Sequence, residues 1–491
     1  MNNNSKNRPP IVVVMGHIDH GKSSILEAIR DFKITSKESG GITQHIGAYQ
    51  VEEQNKRITF IDTPGHEAFS QMRSRGARVA DIAILVIDAS EGIKDQTKEV
   101  ISLIKQLEIP VIIALNKIDK PEADPERVKR ELIKQDFVVE SMGGKIPTVE
   151  VSAKTKKGIP ELLEMILLVS DLEDLKVDET KEAEGVVIES YLDNFRGATA
   201  TLLVLNGTLK TGDVIATSTA FTKIKSLEDF QKKHIKEAAP STPIVVFGFS
   251  EVPKVGDSFK VFKDTNAAQE FIKLPEKKKE EIVQLGEDQK MLNLILKADV
   301  VGSLEAIEEI LKSLPQDKVK IRFLRAEVGN INESDIKMAL SGKSAIIGFK
   351  VKADTVAQKL VEREGIRIVI FDVIYELVEA VRGLMEKIVV PEEIRINVGE
   401  MKVLAKFLDN KNRQIIGGRV TEGELKKGTK IEVLRDEEVI GQGRMISLQR
   451  NKKEADSVSK GDECGILFEG NVKIEDGDIL AFYKEERRKT L

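Results

Sequence analysis

The phosphate-binding pattern at residues 12–23 constrains the fold of this chain more than any other feature. An apolar run at residues 12–15 leads directly into Gly-x-x-x-x-Gly-Lys-Ser, which spans Gly16 to Ser23, and an amphipathic segment follows at residues 24–32. This order predicts a strand, a tight loop and a helix, which is the context that a phosphate-binding loop requires. A glycine turn without a ligand is the alternative, and the correct spacing of all eight positions argues against it.

The loop also predicts how phosphate groups are held. Lys22 is expected to reach the β- and γ-phosphates, and the Ser23 hydroxyl is expected to ligate Mg²⁺. The loop amides and the helix N-terminus supply partial positive charge. The side chains of His17 and His20 are interpreted as loop structure rather than as catalysts. The remaining loop residues expected at the nucleotide, through their backbone or side chains, are Asp19, His20, Gly21 and Ser24.

Two further segments are expected on the γ-phosphate side. Residues 38–49 are rich in glycine and polar groups and predict a mobile loop, in which Thr43 would offer its hydroxyl to Mg²⁺. The next strand ends in Asp62, whose carboxylate suits outer-sphere Mg²⁺ binding. Gly65 offers an amide to the γ-phosphate, and His66 follows where a water-positioning catalytic group is needed. A surface histidine in a turn is the alternative, but four of the five histidines lie in these phosphate-side segments.

Residues after two later strands are typical of a guanine site. A buried apolar strand ends in Asn116-Lys117-Ile118-Asp119, where the Asp119 carboxylate can accept two hydrogen bonds that guanine donates and adenine lacks. Asn116 would brace the phosphate loop, and the Lys117 stem would cover one face of the base. Another strand runs into a triplet whose middle amide can bind guanine O6: Ser152, Ala153 and Lys154. Four such signals in order, each at a strand end, predict an α/β P-loop core.

Length, charge and cysteine content restrict the rest of the chain. At 491 residues, three or four domains of ~100–200 residues are expected. A formal net charge of −5 excludes a globally basic nucleic-acid binder, and the single cysteine excludes a disulfide framework or a cysteine-built zinc site. No apolar run approaches the ~20 residues of a membrane span, and the N-terminus has no signal or transit pattern. A cytoplasmic location without membrane contact is therefore expected.

The sequence after the core predicts further domains. Short alternating strands with glycine and aspartate turns predict two related β-barrels, and alternating strand and helix periods between them predict a small parallel α/β domain. Residues 264–285, which include the charged run at 277–281, are interpreted as a solvated linker helix, with a direct RNA contact as the alternative. Lys297, Ala298 and Asp299 are interpreted as structural. The expected boundaries are 1–8 for a disordered tail, 9–173 for the GTP-binding domain, 184–263 for the first barrel, 264–286 for a linker helix, 287–371 for the α/β/α domain, 372–390 for a second linker helix and 391–485 for the C-terminal barrel.

The core resembles that of Ras-type GTPases, and its loop sequences match a smaller group within that class. Gly-His-Ile-Asp-His-Gly-Lys-Ser is similar to the translational GTPases, and the stretches at residues 40–49 and 62–69 resemble those of bacterial translation initiation factor 2. The order of domains matches that family from about residue 9 to 484. Further matching stretches lie at residues 302–306, 331–335 and 461–465. The long N-terminal extension common in the family is missing before this match, which puts any ribosome anchoring by that extension in doubt here.

The resemblance implies an activity and a set of partners. A member of this family binds GTP or GDP with Mg²⁺ and hydrolyses GTP on the ribosome, with His66 in the catalytic position. It promotes binding of the formylmethionyl initiator tRNA to the small ribosomal subunit, and then joining of the large subunit, as a monomer. Two alternatives stay open: a GTP-gated scaffold for another RNA or protein, and another translational GTPase of elongation type. The second α/β domain argues against an elongation-type carrier.

The resemblance also implies a site for the acyl end of the tRNA in the last barrel, at Arg450, Glu463, Cys464 and Gly465. The family usually has a basic residue at the position of Gln449, an aromatic residue at Asn451 and often a cysteine at Gly418. These departures predict weaker discrimination of the acyl group, with empty space at Gly418 where a cysteine would pack. For Cys464, a small buried hydrophobic residue is the alternative to a residue that lines the pocket.

Overall fold

The computed structural model describes residues 5–30, 45–272, 289–389, 393–410, 412–435, 438–451 and 453–487. These residues form two compact units, Met1–Ile388 and Val389–Leu491. The predicted fold class, an α/β core followed by β and α/β domains and a C-terminal barrel, is confirmed. Thr43, residues 277–281 and most of the predicted linker at 264–286 lie outside the described residues.

The first part of the larger unit is a six-stranded sheet with helices on both faces. The strand order is β3-β4-β2-β5-β6-β7, and only the edge strand β3 is antiparallel to its neighbour. Two short 3₁₀ helices lie at Glu67–Phe69 and Glu140–Met142. The elements are β1 Ser5–Asn7, β2 Ile11–Gly16, α1 Lys22–Arg30, β3 Gly47–Glu53, β4 Lys56–Asp62, α2 Ser70–Val79, β5 Ile82–Asp88, α3 Asp95–Leu107, β6 Val111–Asn116, α4 Pro125–Ile133, β7 Thr148–Glu150, α5 Ile159–Leu172 and β8 Lys176–Asp178, which pairs with β1.

Burial explains why these segments form a parallel sheet. Every residue of β2 and β5 is buried, as expected for central strands covered on both faces. The carboxyl ends of β2, β4, β5 and β6 then meet at one edge, where ligands bind in such sheets. The predicted loop at residues 38–49 is wrong at its end, because β3 begins at Gly47. Tyr49 is buried there and stacks on Phe60 of β4, so its ring holds the segment in the sheet.

The second part of this unit is an antiparallel β domain. Its main sheet has the strand order β13-β12-β18-β9-β10-β17-β14-β15 and packs around one apolar core, while β11 pairs with β16. A short helix follows, and its N-cap is the Asp264 side chain, which accepts from the Ala267 amide. The elements are β9 Glu184–Asp193, β10 Gly197–Asn206, β11 Leu209–Lys210, β12 Val214–Ala216, β13 Phe221–Lys223, β14 Leu227–Asp229, β15 His234–Ile235, β16 Glu237–Ala238, β17 Pro243–Phe249, β18 Ser258–Phe262 and α6 Thr265–Phe271.

The third part is a four-stranded, fully parallel sheet of order β20-β19-β21-β22. The buried ammonium of Lys297 pairs with Glu327 and Asp335, each at 3.3 Å, which fits the structural role predicted for Lys297. The elements are β19 Lys290–Ala298, α7 Val301–Ser313, β20 Val319–Val328, α8 Glu333–Gly342, β21 Ala345–Phe349, α9 Thr355–Glu364, β22 Ile368–Phe371 and α10 Ile374–Ile388.

The smaller unit is a closed antiparallel barrel. Strand β23 pairs with both β24 and β30, so the ring β23-β30-β25-β26-β29-β24 has no free edge. Its strands are β23 Glu393–Asn410, β24 Arg413–Lys426, β25 Lys430–Arg435, β26 Glu438–Arg450, β27 Lys453–Glu454, β28 Ser457–Ser459, β29 Glu463–Gly470 and β30 Ile479–Arg487. Across the ranges described above, none of the helices combines the length and apolar character needed to cross a membrane.

Candidate functional site

The phosphate loop joins β2 to α1 and is held from inside by Lys22. The Lys22 ammonium is buried and donates to the backbone oxygen of His17 at 2.7 Å. Burial lowers the pKa of Lys22 to about 8, although the Asp62 carboxylate opposes the shift. A phosphate group at this position would bring the negative charge that restores the charged form of the amine. The donor set of the loop therefore fits a phosphate ligand.

The loop that follows β4 reaches Lys22 only because residue 65 is glycine. A Cβ atom on Gly65 would lie 2.1 Å from Nζ of Lys22, so any larger residue would displace the amine. Asp62 is buried at the end of β4, and Ser23 lies in the first turn of α1. A hydroxyl and a carboxylate are the oxygen ligands that Mg²⁺ prefers, so these two residues fit the predicted metal role. Thr43, the third predicted ligand, lies outside the described residues.

Asn116 connects three of the predicted loops. Its Nδ2 donates to the backbone oxygen of His20 at 2.9 Å, and its Oδ1 accepts from the Ala153 amide at 3.2 Å. The Asn116 side chain is buried at the end of β6. The phosphate loop and the two guanine-side loops are thereby fixed to one another. The ring of His20 is buried and packs edge to face on His17, which fits the structural role predicted for both rings.

The guanine-side residues are oriented before any ligand binds. Ser152 Oγ donates to Asp119 Oδ1 at 2.7 Å, and this bond lowers the pKa of the exposed Asp119 carboxyl. The carboxylate is thus ionised and aimed, as an acceptor for two donors must be. Lys117 adopts a left-handed φ of 61° and its ammonium contacts the backbone oxygen of Asp19. The stem of Lys117 therefore crosses to the phosphate loop, and Lys154 lies exposed beside the Ala153 amide.

Asp88 is a residue of the candidate site that the sequence reasoning missed. Its carboxylate is fully buried at the end of β5 and pairs with Lys117 at 2.8 Å and Lys120 at 3.1 Å. Burial by itself would raise the pKa of Asp88, but bonds from Lys117, Ser90 and Lys120 outweigh it and hold the pKa well below its usual range. Asp88 thus fixes the lysine that is expected over the base. The available signal was an acidic residue at the end of a buried strand, at the same sheet edge.

His66 is placed next to Gly65, but its ring is withdrawn into the protein. It caps the 3₁₀ helix, with Nδ1 accepting from the Ala68 amide at 2.9 Å, and is only 7% exposed. Burial, followed by the nearby Arg73 guanidinium, lowers the pKa of His66 to about 4. The guanidinium of Arg73 also contacts the backbone oxygen of His66, which fixes the turn. The imidazole is therefore neutral at physiological pH.

In the C-terminal barrel, the predicted tRNA residues lie at the end of β26 and at the start of β29, which pair with each other. Cys464 is 6% exposed within the barrel core, and its Sγ lies 3.4 Å from the Met401 sulfur. The arrangement favours the alternative of a small buried hydrophobic residue. The carboxylate of Glu463 pairs with Arg419 at 2.9 Å, and Arg450 pairs with Asp462 at 2.7 Å, both at the surface.

Two expectations about the departures in this barrel change with the structure. The space expected at Gly418 is absent, because a Cβ atom there would lie 2.4 Å from the backbone oxygen of Lys402 and 2.9 Å from the Met401 side chain. Asn451 adopts a left-handed φ of 52° after β26, a conformation that asparagine accepts more readily than an aromatic residue does. Asn451 thus suits its turn. Gly465 of β29 pairs with Gly417 of the neighbouring strand β24.

Four family models match the chain in sequence order. They are described as elongation factor Tu GTP binding domain over residues 7–171, elongation factor G domain 2 over residues 182–262, translation-initiation factor 2 over residues 267–382 and elongation factor Tu domain 2 over residues 413–481. The match to the initiation-factor model covers the small parallel α/β domain.

Three curated relatives, all named translation initiation factor IF-2, match nearly all of the chain. The chain is 45% identical to that of Carboxydothermus hydrogenoformans, with 99% of this chain and 60% of the relative covered. It is 43% identical to that of Pelotomaculum thermopropionicum, with 99% and 51% covered. It is 44% identical to that of Halothermothrix orenii, with 99% and 73% covered. The chain thus spans between about half and three quarters of the length of these relatives.

Proposed function

Because the chain belongs to the translation initiation factor IF-2 family, we propose that it is a GTP-hydrolysing switch of translation initiation. It promotes binding of formylmethionyl initiator tRNA to the small ribosomal subunit and joining of the large subunit, and it works as a monomer in the cytoplasm. The observation that carries the proposal is the joining of the phosphate loop to both guanine-side loops through the Asn116 side chain.

Guanine is selected by acceptors and donors that are already oriented. The Asp119 carboxylate, aimed by Ser152, accepts from the two guanine donors. The Ala153 amide, which donates to Asn116 Oδ1 at 3.2 Å, would share its hydrogen with guanine O6. Adenine would leave the Asp119 acceptors unpaired. A site of this kind therefore favours guanine over adenine by a factor of ~10⁴ or more. Lys117, held by Asp88, covers one face of the base.

On the phosphate side, Lys22 leaves the backbone oxygen of His17 to contact the β- and γ-phosphates, and the Gly65 amide donates to the γ-phosphate. Mg²⁺, when bound, neutralises charge on the phosphate oxygens, and Ser23, Thr43 and Asp62 are the residues that would hold it. His66 orients the attacking water once its ring turns out of the protein. Hydrolysis is slow until that happens, so stimulation by the ribosome acts on the position of His66.

The direct test is the dependence of initiator tRNA binding on nucleotide and acyl group. Small ribosomal subunits are incubated with the full chain, GTP or GDP, and either formylmethionyl or unformylated methionyl initiator tRNA. The proposal expects retained tRNA to be highest with GTP and the formylated form. A GTP-gated scaffold for another RNA or protein would leave tRNA retention unchanged when the factor is added. An elongation-type carrier would instead retain elongator aminoacyl-tRNA in preference.

A further inference from the structure

The ring of His66 in the nucleotide-binding part packs at a tilt against the ring of Tyr375 in the small parallel domain. The ring centroids lie 4.1 Å apart at an interplanar angle of 50°, and Tyr375 is the second residue of α10. The other side of the His66 ring meets Phe69 edge to face at 6.0 Å. Tyr375 is nevertheless 51% exposed, so one of its faces covers the histidine while the rest of the ring meets solvent. The histidine is thus enclosed by a side chain from another domain.

In this position the His66 ring is neutral at physiological pH and is turned away from the attacking water. The Nδ1 lone pair accepts from the Ala68 amide, so the neutral ring carries its hydrogen on Nε2. The Nε2 atom is buried and has no hydrogen-bond partner among the residues that the structure describes. A catalytic group must lie within hydrogen-bond reach of the water it positions. The ring must therefore leave both the Ala68 amide and Tyr375 before it can act.

The same domain also holds the helix that follows His66. Met72 of α2 packs directly on Gly302 of α7, where a Cβ atom would lie 2.3 Å from the methionine Cε. Arg75 of α2 forms an ion pair with Glu305 of α7. These contacts bring α2 against α7 while Tyr375 lies on α10 of the same domain. Movement of this domain relative to the nucleotide-binding part would therefore uncover the His66 ring.

We propose that Tyr375 is a positioning residue that keeps the His66 imidazole withdrawn until the small parallel domain moves. This inference rests on the proposed function, because it assigns His66 to hydrolysis. Tyr375 acts only through His66 and does not touch the nucleotide. A partner that binds the solvent-exposed side of Tyr375, or that displaces α10, releases the histidine. The family match alone does not identify this residue.

The charged groups around His66 give the contact a spectroscopic signature. Arg73 faces the ring from α2 and is itself paired with Glu99 of α3 at 2.7 Å. Across the domain interface, Arg75 and Glu305 neutralise one another. Removing the Tyr375 ring exposes the imidazole to water without removing any of these charges. The pKa of His66, about 4 when covered, should then rise towards 6.5.

The test compares Tyr375→Ala with Tyr375→Phe, which keeps the ring, and with Glu376→Ala, an exposed change on the same helical turn. The titration of the five histidines is followed by NMR in the full chain, and His66→Gln assigns the signal. The inference expects the His66 midpoint to rise in Tyr375→Ala and to stay low in wild type, Tyr375→Phe and Glu376→Ala. An unchanged His66 midpoint in a folded Tyr375→Ala protein overturns the inference.

GTP turnover without ribosomes provides the functional readout. An aromatic contact of ordinary strength shifts a two-state equilibrium by about two- to tenfold, so basal turnover of Tyr375→Ala should rise by that factor. A merely structural role would lower basal turnover or leave it unchanged, and either result contradicts the inference. If ribosomes fail to stimulate even the wild type, the proposed function fails. If they stimulate it and Tyr375→Ala matches wild type, only this inference fails.

Discussion

The Nε2 atom of His45 lies 2.8 Å from Oδ2 of Asp299, and this contact joins the nucleotide-binding part to the small parallel domain. Both side chains are about three quarters buried. His45 stands two positions after Thr43, the residue expected to reach Mg²⁺ in the triphosphate state. The contact therefore links a segment that should respond to the γ-phosphate with a domain that contacts His66 through Tyr375.

Removing this contact should favour the triphosphate state. If the segment around Thr43 rearranges on GTP binding, the His45–Asp299 contact is weakened and opposes that change. Asp299→Ala should then raise the affinity for GTP relative to GDP by up to about fivefold, the effect of losing one partly exposed polar contact of about 1 kcal/mol. Nucleotide titrations of Asp299→Ala, His45→Ala and the double variant check this. Fully additive effects of the two single changes would show that the contact is not the cause.

Asp119→Asn should weaken GTP binding and create a preference for a xanthine nucleotide. The carboxylate accepts from two guanine donors, whereas the amide presents an N–H group that suits the xanthine carbonyl. Loss of two charge-assisted bonds corresponds to roughly 10²–10⁴ in affinity. Ser152→Ala is the matched control, since it removes only the orienting bond at 2.7 Å and should weaken GTP binding without any xanthine preference. Unchanged GTP affinity in Asp119→Asn would remove this residue from the guanine site.

Glu189 should make the stability of the larger unit depend on pH. Its buried carboxyl accepts from the Gly302 amide at 3.3 Å, and burial raises its pKa to about 7 from 4.5. Because the folded pKa lies above the unfolded one, the stabilisation is complete below pH 4.5 and is lost as the pH rises through 7. The loss is on the order of 3 kcal/mol.

Glu189→Gln removes this titration while keeping an acceptor for the Gly302 amide. The variant should match the wild type in the free energy of unfolding near pH 4.5 and exceed it near pH 8. Urea unfolding across that range, followed by a probe in the larger unit, measures the difference. If the difference in the free energy of unfolding between the two proteins does not change with pH, Glu189 is not buried as an ionisable group beside Gly302.

Gly418→Ala should destabilise the C-terminal barrel. The new methyl group would lie 2.4 Å from the backbone oxygen of Lys402, which the closed sheet cannot easily displace. Overpacking of this kind typically lowers the free energy of unfolding by about 1–3 kcal/mol, and we expect a loss of that size here. Gly465→Ala is the matched control on the facing strand, because its Cβ position has no atom closer than 4.0 Å. Equal thermal unfolding midpoints for the two variants would contradict the close contact at Gly418.

The nucleotide-site loops could be predicted because each is encoded by a short contiguous stretch of sequence. Gly16 to Ser23 and Asn116 to Asp119 each carry their spacing in the sequence, and the parallel sheet brings the strand ends to one edge. The same local information gave the strands and helices of the small parallel domain. What it did not give was the end of the loop at residues 38–49, because the packing of Tyr49 on Phe60 depends on a neighbouring strand.

Contacts between domains could not be predicted from the sequence. The pairs His66–Tyr375 and His45–Asp299 join segments far apart in the chain, and no local pattern indicates that the two members of a pair meet. Asp299 is interpreted as structural from the sequence, and the structure shows that it contacts His45 of another domain. In the barrel, the space assumed at Gly418 was a question of packing, and Met401 fills the neighbourhood from another strand. Side-chain volume in a closed barrel does not follow from the motif alone.

The most direct test of the central claim is GTP turnover by His66→Ala with and without ribosomes. Nucleotide binding should remain close to wild type, because the ring is turned away from the phosphate loop, whereas Lys22→Ala should lose binding itself. A water-positioning or proton-transfer group typically contributes ~10²–10⁴ in rate, so ribosome-stimulated turnover of His66→Ala should fall by that factor. Stimulated turnover close to that of the wild type would contradict the assignment of His66 as the catalytic residue of a ribosome-activated GTPase.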